Sequence, residues 1–268
     1  MKTPQILLTN DDGINSPGLW SAAGALSELG FVHVFAPRDQ FSGAGRSLTV
    51  ISDGRIEINE LTVKGKKWQV HAIGGTPAQV VLHGALEVMG SLPDLVVSGI
   101  NYGENLGTGI TASGTVGAAL EAADLGIPAL AISLETDIQH HLSYSEEVDF
   151  SSAAVFCTYF SRLLLNKHLP PDVNALKVDV PCNATPETSW EITRLSRQRY
   201  FEPTPPNRDS WDIPAFFGYQ LCCDPEEAAV GTDVHAVRVK SVVSVTPLSL
   251  DLTSRVDLNA FDQLLREE

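Results

Sequence analysis

The chain has 268 residues, 43% of them hydrophobic, and a formal net charge of −15. That length builds one large domain or one domain with an appendage, and the second arrangement is expected here. The acidic balance argues against stable nucleic-acid binding, because neutralising a polyphosphate backbone needs clustered Lys and Arg, although a small anion could still bind beside a cation. No uninterrupted apolar run reaches about 18 residues, and Met1-Lys2-Thr3-Pro4 leads directly into a strand rather than a signal sequence. A cytoplasmic protein without membrane attachment is therefore expected. Cys157, Cys182, Cys222 and Cys223 have no paired C-x-x-C spacing and are read as free thiols. No histidine falls in a metal-binding pattern, and the adjacent His140 and His141 are read as surface or core residues.

The elements, taken in order, alternate short β-rich runs with longer helical patterns, which predicts βαβ units and an α/β fold with a doubly wound, mostly parallel sheet. The first strand, residues 5–9, is continuously apolar at Ile6, Leu7 and Leu8, as a central strand buried on both faces must be. It ends in Asn10-Asp11-Asp12-Gly13. Ser16-Pro17 is expected to cap a helix over residues 18–29, with Gly30 as its stop, before a strand over residues 31–36. Residues 47–70 read as short strands, with turns at Asp53-Gly54 and Lys64-Gly65. Gly74-Gly75-Thr76-Pro77 opens a helical pattern that runs to Met89, followed by a strand over residues 95–98. The glycine-rich stretch 99–109 is long for a strand-to-helix loop, where about 2 to 6 residues is usual, and it is expected to be a mobile gate. A helix from Ser113-Gly114-Thr115 to Gly126, a strand over 129–134, a helix over 150–165 and a strand over 175–180 complete the core. Residues 186–225 are broken by Pro203, Pro205, Pro206 and Pro214 and form the expected appendage. Residues 234–245 have β character, and residues 257–265 read as a short helix. The expected division is a core over residues 1–185 and a C-terminal arm with a closing β/α segment over residues 186–268.

Three stretches place oxygen donors just after predicted parallel strands: Asp11 and Asp12, Ser42 in Phe41-Ser42-Gly43-Ala44-Gly45, and Asn101 in Gly99-Ile100-Asn101-Tyr102-Gly103. In an open α/β sheet such strand ends converge on one crevice. Adjacent carboxylates repel each other unless a cation compensates, and two carboxylates with a hydroxyl and an amide oxygen suit Mg²⁺ or Mn²⁺ better than Zn²⁺. The helix starting at Ser113-Gly114-Thr115 would aim free N–H groups and its positive dipole end at an anion. The plain alternatives are a solvated Asp-Asp-Gly turn, ordinary turns at Ser42 and Asn101, and N-capping by Ser113 or Thr115.

The combination is more specific than its parts. Ile6-Leu-Leu-Thr-Asn-Asp-Asp-Gly-Ile-Asn-Ser-Pro-Gly18, Ala36-Pro-Arg-Asp-Gln-Phe-Ser42, Gly75-Thr-Pro77, Ser98-Gly-Ile-Asn-Tyr-Gly-Glu-Asn-Leu-Gly107 and Ser113-Gly-Thr-Val116 follow one another in order. With Val243-Ser-Val-Thr-Pro-Leu-Ser-Leu-Asp-Leu-Thr253 as a closing segment, the chain resembles the SurE (survival protein E) family of nucleotidases over essentially its whole length. The resemblance implies a metal-dependent phosphatase of nucleoside 5′- and 3′-monophosphates. It also implies a Rossmann-like core and a C-terminal β-hairpin arm exchanged between subunits of a homodimer or homotetramer. Carried over by position, Asp11, Asp12, Ser42 and Asn101 would hold one divalent cation per subunit, and Gly43, Asn105, Ser113, Gly114 and Thr115 would line the phosphate pocket. Asp11 or Asp12 would orient the attacking water. Gln79 departs from the family pattern, which usually shows Asp there, and Phe41 and Arg46 lie in a variable loop. Two other readings stand beside this one. In a haloacid-dehalogenase-like phosphatase an aspartate is the nucleophile, but Gly13 occupies the place of the second carboxylate. The other is a non-catalytic nucleotide or metal sensor on the same fold.

Overall fold

The structure is a computed structural model that describes residues 2–63, 65–222 and 224–267. Strand β1 (Gln5–Thr9) lies at its centre, with Ile6 and Leu8 in one buried apolar cluster and Leu7 in another. Alternating Cβ directions force that split, so both faces of the sheet need helical cover. Helices α1 (Pro17–Leu26) and α4 (Ser151–Asn166) supply Leu19, Ala22, Phe156 and Phe160 to the first cluster. Helices α2 (Pro77–Leu82) and α3 (Gly114–Asp124) supply Val80, Val81, Val116 and Ala119 to the second.

The sheet places β1 between β2 (Phe31–Pro37) and β5 (Leu95–Tyr102), both parallel to it. Beyond β2 lie β4 (Lys66–Ile73) and the antiparallel β3 (Ile56–Val63); beyond β5 lie β6 (Ala129–Leu134) and β7 (Ala175–Val180). The chain thus builds outward from β1 in one direction and then restarts on its other side at β5. That reversal is the topological switch point, where a crevice opens beyond the carboxyl ends of β1 and β5.

The expected α/β class and the strands at Ala129–Leu134 and Ala175–Val180 match the structure. Several details differ. Ser16 occupies the N-cap of α1, yet its hydroxyl makes no capping bond and is buried without a partner; Pro17 alone sets the start. The stretch 99–109 is not a free loop, because β5 continues through Asn101 and Tyr102 and residues Thr108–Ala112 form a 3₁₀ turn. Residues His235–Val239 form a π-helical turn and only Val243–Leu248 is a strand, β11. The β-branched composition there misled, since Val234 and Val237 pack at helical spacing against Leu106 and Tyr200.

The sheet also crosses the boundary expected at residue 185. Strand β11 runs antiparallel to β7, and β8 (Trp190–Ile192) pairs parallel to β11 at the sheet edge. A chain that returns to add strands to a core sheet cannot be divided from it at its first departure. What stands apart is the antiparallel hairpin of β9 (Phe201–Thr204) and β10 (Gly218–Leu221). Helix α5 (Leu258–Arg266), capped by the Asp257 carboxylate, has no buried residue. Among the described residues no helix is long and apolar enough to cross a membrane. The turn at Lys64 and the thiol of Cys223 lie outside the described residues.

Candidate active site

The end of β1 is a tightly held turn. The Asn10 side chain accepts from Gly13 N at 3.2 Å and donates to Gly13 O at 3.1 Å, a closure that needs the positive φ of 97° at Gly13. Tyr144 donates its hydroxyl to Asp12 O at 2.7 Å, and Phe41 N donates to Asp11 O at 2.8 Å. The two carboxylates are therefore fixed from the backbone outward, and they are only 5% and 2% exposed. Their hydrogen-bond donors are neutral: Thr115 Oγ1 to Asp11 at 2.6 Å, and Tyr102 N and Gln40 Nε2 to Asp12, each at 3.3 Å. Burial pushes both carboxyls above the usual range, and the Asp11 charge raises Asp12 further.

Asn101 stands at the carboxyl end of β5. Its Nδ2 is committed to Tyr102 O at 3.1 Å and Gly103 O at 2.7 Å, which leaves Oδ1 as the end available to a ligand. Ser42 and Gly43 reach the same cleft from an exposed loop. That loop is tied to the 3₁₀ turn Thr108–Ala112 by Gly45 N to Ala112 O at 2.9 Å and to α3 by an Arg46–Glu121 ion pair at 2.6 Å. Asn105 and Ser113 complete the wall. Of the two capping candidates it is Ser113 that caps α3, its hydroxyl accepting from Val116 N at 3.1 Å.

Asp11, Ser42, Gly43, Asn101, Asn105 and Ser113 thus meet at one cleft. Gly114 and Thr115 stand behind that wall, and Asp12, next to Asp11 in the same turn, is buried at its edge rather than among the lining residues. Thr115 is fully buried and steers Asp11, while Gly114 allows α3 to approach it: a Cβ at residue 114 would lie 2.7 Å from the Asp11 Cβ. Among the described residues no group of three or more His, Cys, Asp or Glu is placed to hold a metal ion. A cation here would have to complete its shell with neutral oxygens, and the Asn101 amide and Ser42 hydroxyl are of that kind. Two buried carboxylates whose partners are all neutral, beside such donors, fit a hard divalent ion.

The far wall was not foreseen. His141, Arg199, Phe201 and Tyr219 face the cleft, the last two from the hairpin. His141 stacks on Tyr219 with centroids 5.9 Å apart, their Nδ1 and hydroxyl are 3.0 Å apart, and burial holds the imidazole below its usual pKa. No local pattern marks these residues, because only the fold of the hairpin brings them near β1. Glu104 is also buried at the wall, with Tyr200 donating to Oε1 at 2.7 Å and the Arg238 guanidinium in ion-pair range of it at 3.7 Å. Its Oε2 has no hydrogen-bond partner among the described residues, and burial pushes the carboxyl up to about 7. Gln79 is scaffold: it completes a capping box with Thr76 and ties Thr49 and Ser52 to α2.

Fold and site together define an α/β protein whose candidate site occupies the switch point of a doubly wound sheet. The family model described as Survival protein SurE matches residues 6–202, and the chain belongs to that family. It is 44% identical over 261 residues to 5′-nucleotidase SurE of Thermococcus kodakarensis, covering 97% of this chain and 98% of that protein. To 5′-nucleotidase SurE of Archaeoglobus fulgidus it is 44% identical over 256 residues, covering 95% of each. The crystal structure of the SurE protein from Aquifex aeolicus superposes with a TM-score of 0.75 at 34% identity, covering 98% of this chain and 100% of that one.

Proposed function

We propose that this chain is a cytoplasmic 5′-nucleotidase that hydrolyses nucleoside 5′-monophosphates, and 3′-monophosphates as well, to nucleoside and phosphate, using one divalent cation per subunit, Mg²⁺ or Mn²⁺. The observation that carries this reading is the buried Asp11–Asp12 pair with only neutral partners, set at the switch point among relatives that bear the name 5′-nucleotidase. Asp11, Asp12, Ser42 and Asn101 would hold the ion, which when bound supplies Lewis acidity and a water of lowered pKa. The chain's own groups do the rest. Gly43, Asn105 and Ser113 receive phosphoryl oxygens, and the positive dipole end of α3 favours that negative charge. Asp11 or Asp12 takes the proton side of the attacking water, and Thr115 keeps Asp11 in one orientation. Phe201, Tyr219 and His141 offer ring faces to the nucleoside and keep bulk water from the phosphate.

Phosphate release from adenosine 5′- and 3′-monophosphate, after chelation and after adding back Mg²⁺ or Mn²⁺, tests the proposal. Release that stops on chelation and returns with the ion is expected. Nucleotide binding without turnover would make the chain a sensor instead, and a trapped aspartyl phosphate would replace the attacking water with an enzyme nucleophile. We infer further that the hairpin arm joins a second copy of this chain. Trp211, Phe216 and Phe217 are 91%, 90% and 70% exposed in the segment that joins the two hairpin strands, large apolar side chains that water covers poorly.

A further inference from the structure

The most deeply buried cation of the described residues plays no part in this mechanism. Lys177 is fully buried in β7, an inner strand of the sheet, and its ammonium reaches both Asp179 and Asp233, which are buried as completely. Burial alone would pull its pKa down, but the two carboxylates outweigh that and hold it above the usual lysine value. Lys177 therefore keeps its charge, at a desolvation cost that an apolar side chain would not carry, while burial pushes the Asp179 carboxyl up against the pull of that ammonium. Such a cost invites the question of what the charges hold.

They hold the candidate phosphate pocket. Lys177 Nζ donates to Asn105 O at 2.7 Å, and Asn105 N donates to Asp179 Oδ1 at 2.8 Å, so both backbone groups of that residue end on the cluster. Two residues on, Gly107 N donates to Asp233 Oδ2 at 2.9 Å. The other oxygen of Asp233 accepts from Ser196 N at 2.8 Å, which fastens the same cluster to the segment leading into β9. The Asn105 side chain is then fixed by its donation to Ser133 Oγ at 2.8 Å, on the neighbouring strand.

We propose that Lys177, with Asp179 and Asp233, is a positioning residue for the phosphate pocket, setting Asn105 from behind the sheet and locking it to the base of the hairpin arm. The role deepens the nucleotidase reading and rests on it for its link to turnover, but its effect on an anion does not require catalysis. Charge-assisted bonds to a backbone carbonyl and amide fix a residue more firmly than neutral ones. A phosphate-contacting residue displaced by even a fraction of an ångström loses much of its contribution.

The test is Lys177→Met/Asp179→Asn, alone and combined with Asn105→Ala. The paired change leaves the buried net charge at minus one, and residue 179 keeps an oxygen for Asn105 N; Asp179→Asn alone is the fallback if the pair does not fold. Inorganic phosphate affinity by calorimetry in the presence of Mg²⁺ and turnover of adenosine 5′-monophosphate are the readouts. The expected result is a cooperatively melting protein whose phosphate Kd and KM both rise about tenfold while kcat moves less than about threefold. Asn105→Ala is expected to add almost nothing in that background, because both changes act through one residue. Unchanged phosphate affinity and KM, or full additivity with Asn105→Ala, would overturn the positioning role. A wild type that binds phosphate with these dependences but turns over no nucleotide would sink the nucleotidase reading and leave the positioning role standing.

Discussion

Two groups of buried carboxylates in this molecule have opposite designs. Asp179 and Asp233 bring their own cation, Lys177, so the cluster is complete within the chain. Asp11 and Asp12 are nearly as buried but have only hydroxyl, amide and backbone donors. The first arrangement spends its charges on holding backbone; the second leaves negative charge for something from outside. Burial by itself therefore does not mark a ligand site, and the absence of an internal counter-charge is the better sign.

Removing a charge should act with opposite sign in the two places. Lys177→Met strands two buried carboxylates and should destabilise the fold by about 3–5 kcal/mol in urea unfolding. An unfolding midpoint equal to wild type would show that the cluster is not held as an ion triad. Asp11→Asn or Asp12→Asn should leave the unfolding midpoint equal or higher, because a mutual repulsion is relieved, while turnover falls about a thousandfold, roughly 4 kcal/mol of transition-state stabilisation. Near-wild-type phosphate release by either variant would remove that aspartate from the candidate site.

Glu104 sharpens the contrast, since it has a partial counter-charge in Arg238 at 3.7 Å and one oxygen without a hydrogen-bond partner among the described residues. Its carboxyl is pushed up to about 7, chiefly by burial, from an ordinary 4.5. The folded state then keeps a proton that the unfolded chain releases, so its contribution is fully present below about pH 4.5 and is lost as pH rises to about 7, on the order of 3 kcal/mol in all. Glu104→Gln should flatten that part of the stability curve in urea titrations at pH 5 and 7.5. Parallel curves for the two proteins would mean that Glu104 ionises freely.

Asn101→Ala takes no charge from the site and should cost about tenfold in turnover and in Mg²⁺ affinity, near 1.4 kcal/mol. Unaltered metal dependence would reduce Asn101 to a turn residue. The smallest effect is expected in the arm, where Trp211→Ser with Phe216→Ser should weaken assembly without touching the core. Light scattering of the wild type should show a dimer or larger species at micromolar concentration, and a stable monomer would count against exchange of the arm. The stretch 99–109 is worth examining in the same samples by hydrogen exchange. With Gly103 N bonded to Leu134 O at 2.9 Å and Gly107 N to Asp233, its amides should be protected with or without ligand.

Much of this was legible from residues alone. The apolar run Ile6-Leu7-Leu8, the first-turn proline of α1 and the glycine stops specify their elements locally, since each depends on backbone sterics or on burial of both faces. That Asp11, Ser42, Asn101 and Ser113 would meet at one cleft was readable because strand ends in such sheets converge. One signal went unread: Lys177 and Asp179 are two apart in an otherwise apolar strand, so they share a face and form an ion pair where water is absent. The return of β11 and β8 to the sheet, the π-helical turn before β11, the withdrawal of Thr115 behind Asp11 and the wall of His141, Phe201 and Tyr219 carried no local mark. Local chemistry decides which segments are strands or helices and which residues can bind a cation. Only tertiary packing decides strand order and which distant side chains face one cleft, because those contacts join residues as far apart as Asp12 and Tyr144, whose meeting no spacing along the chain encodes.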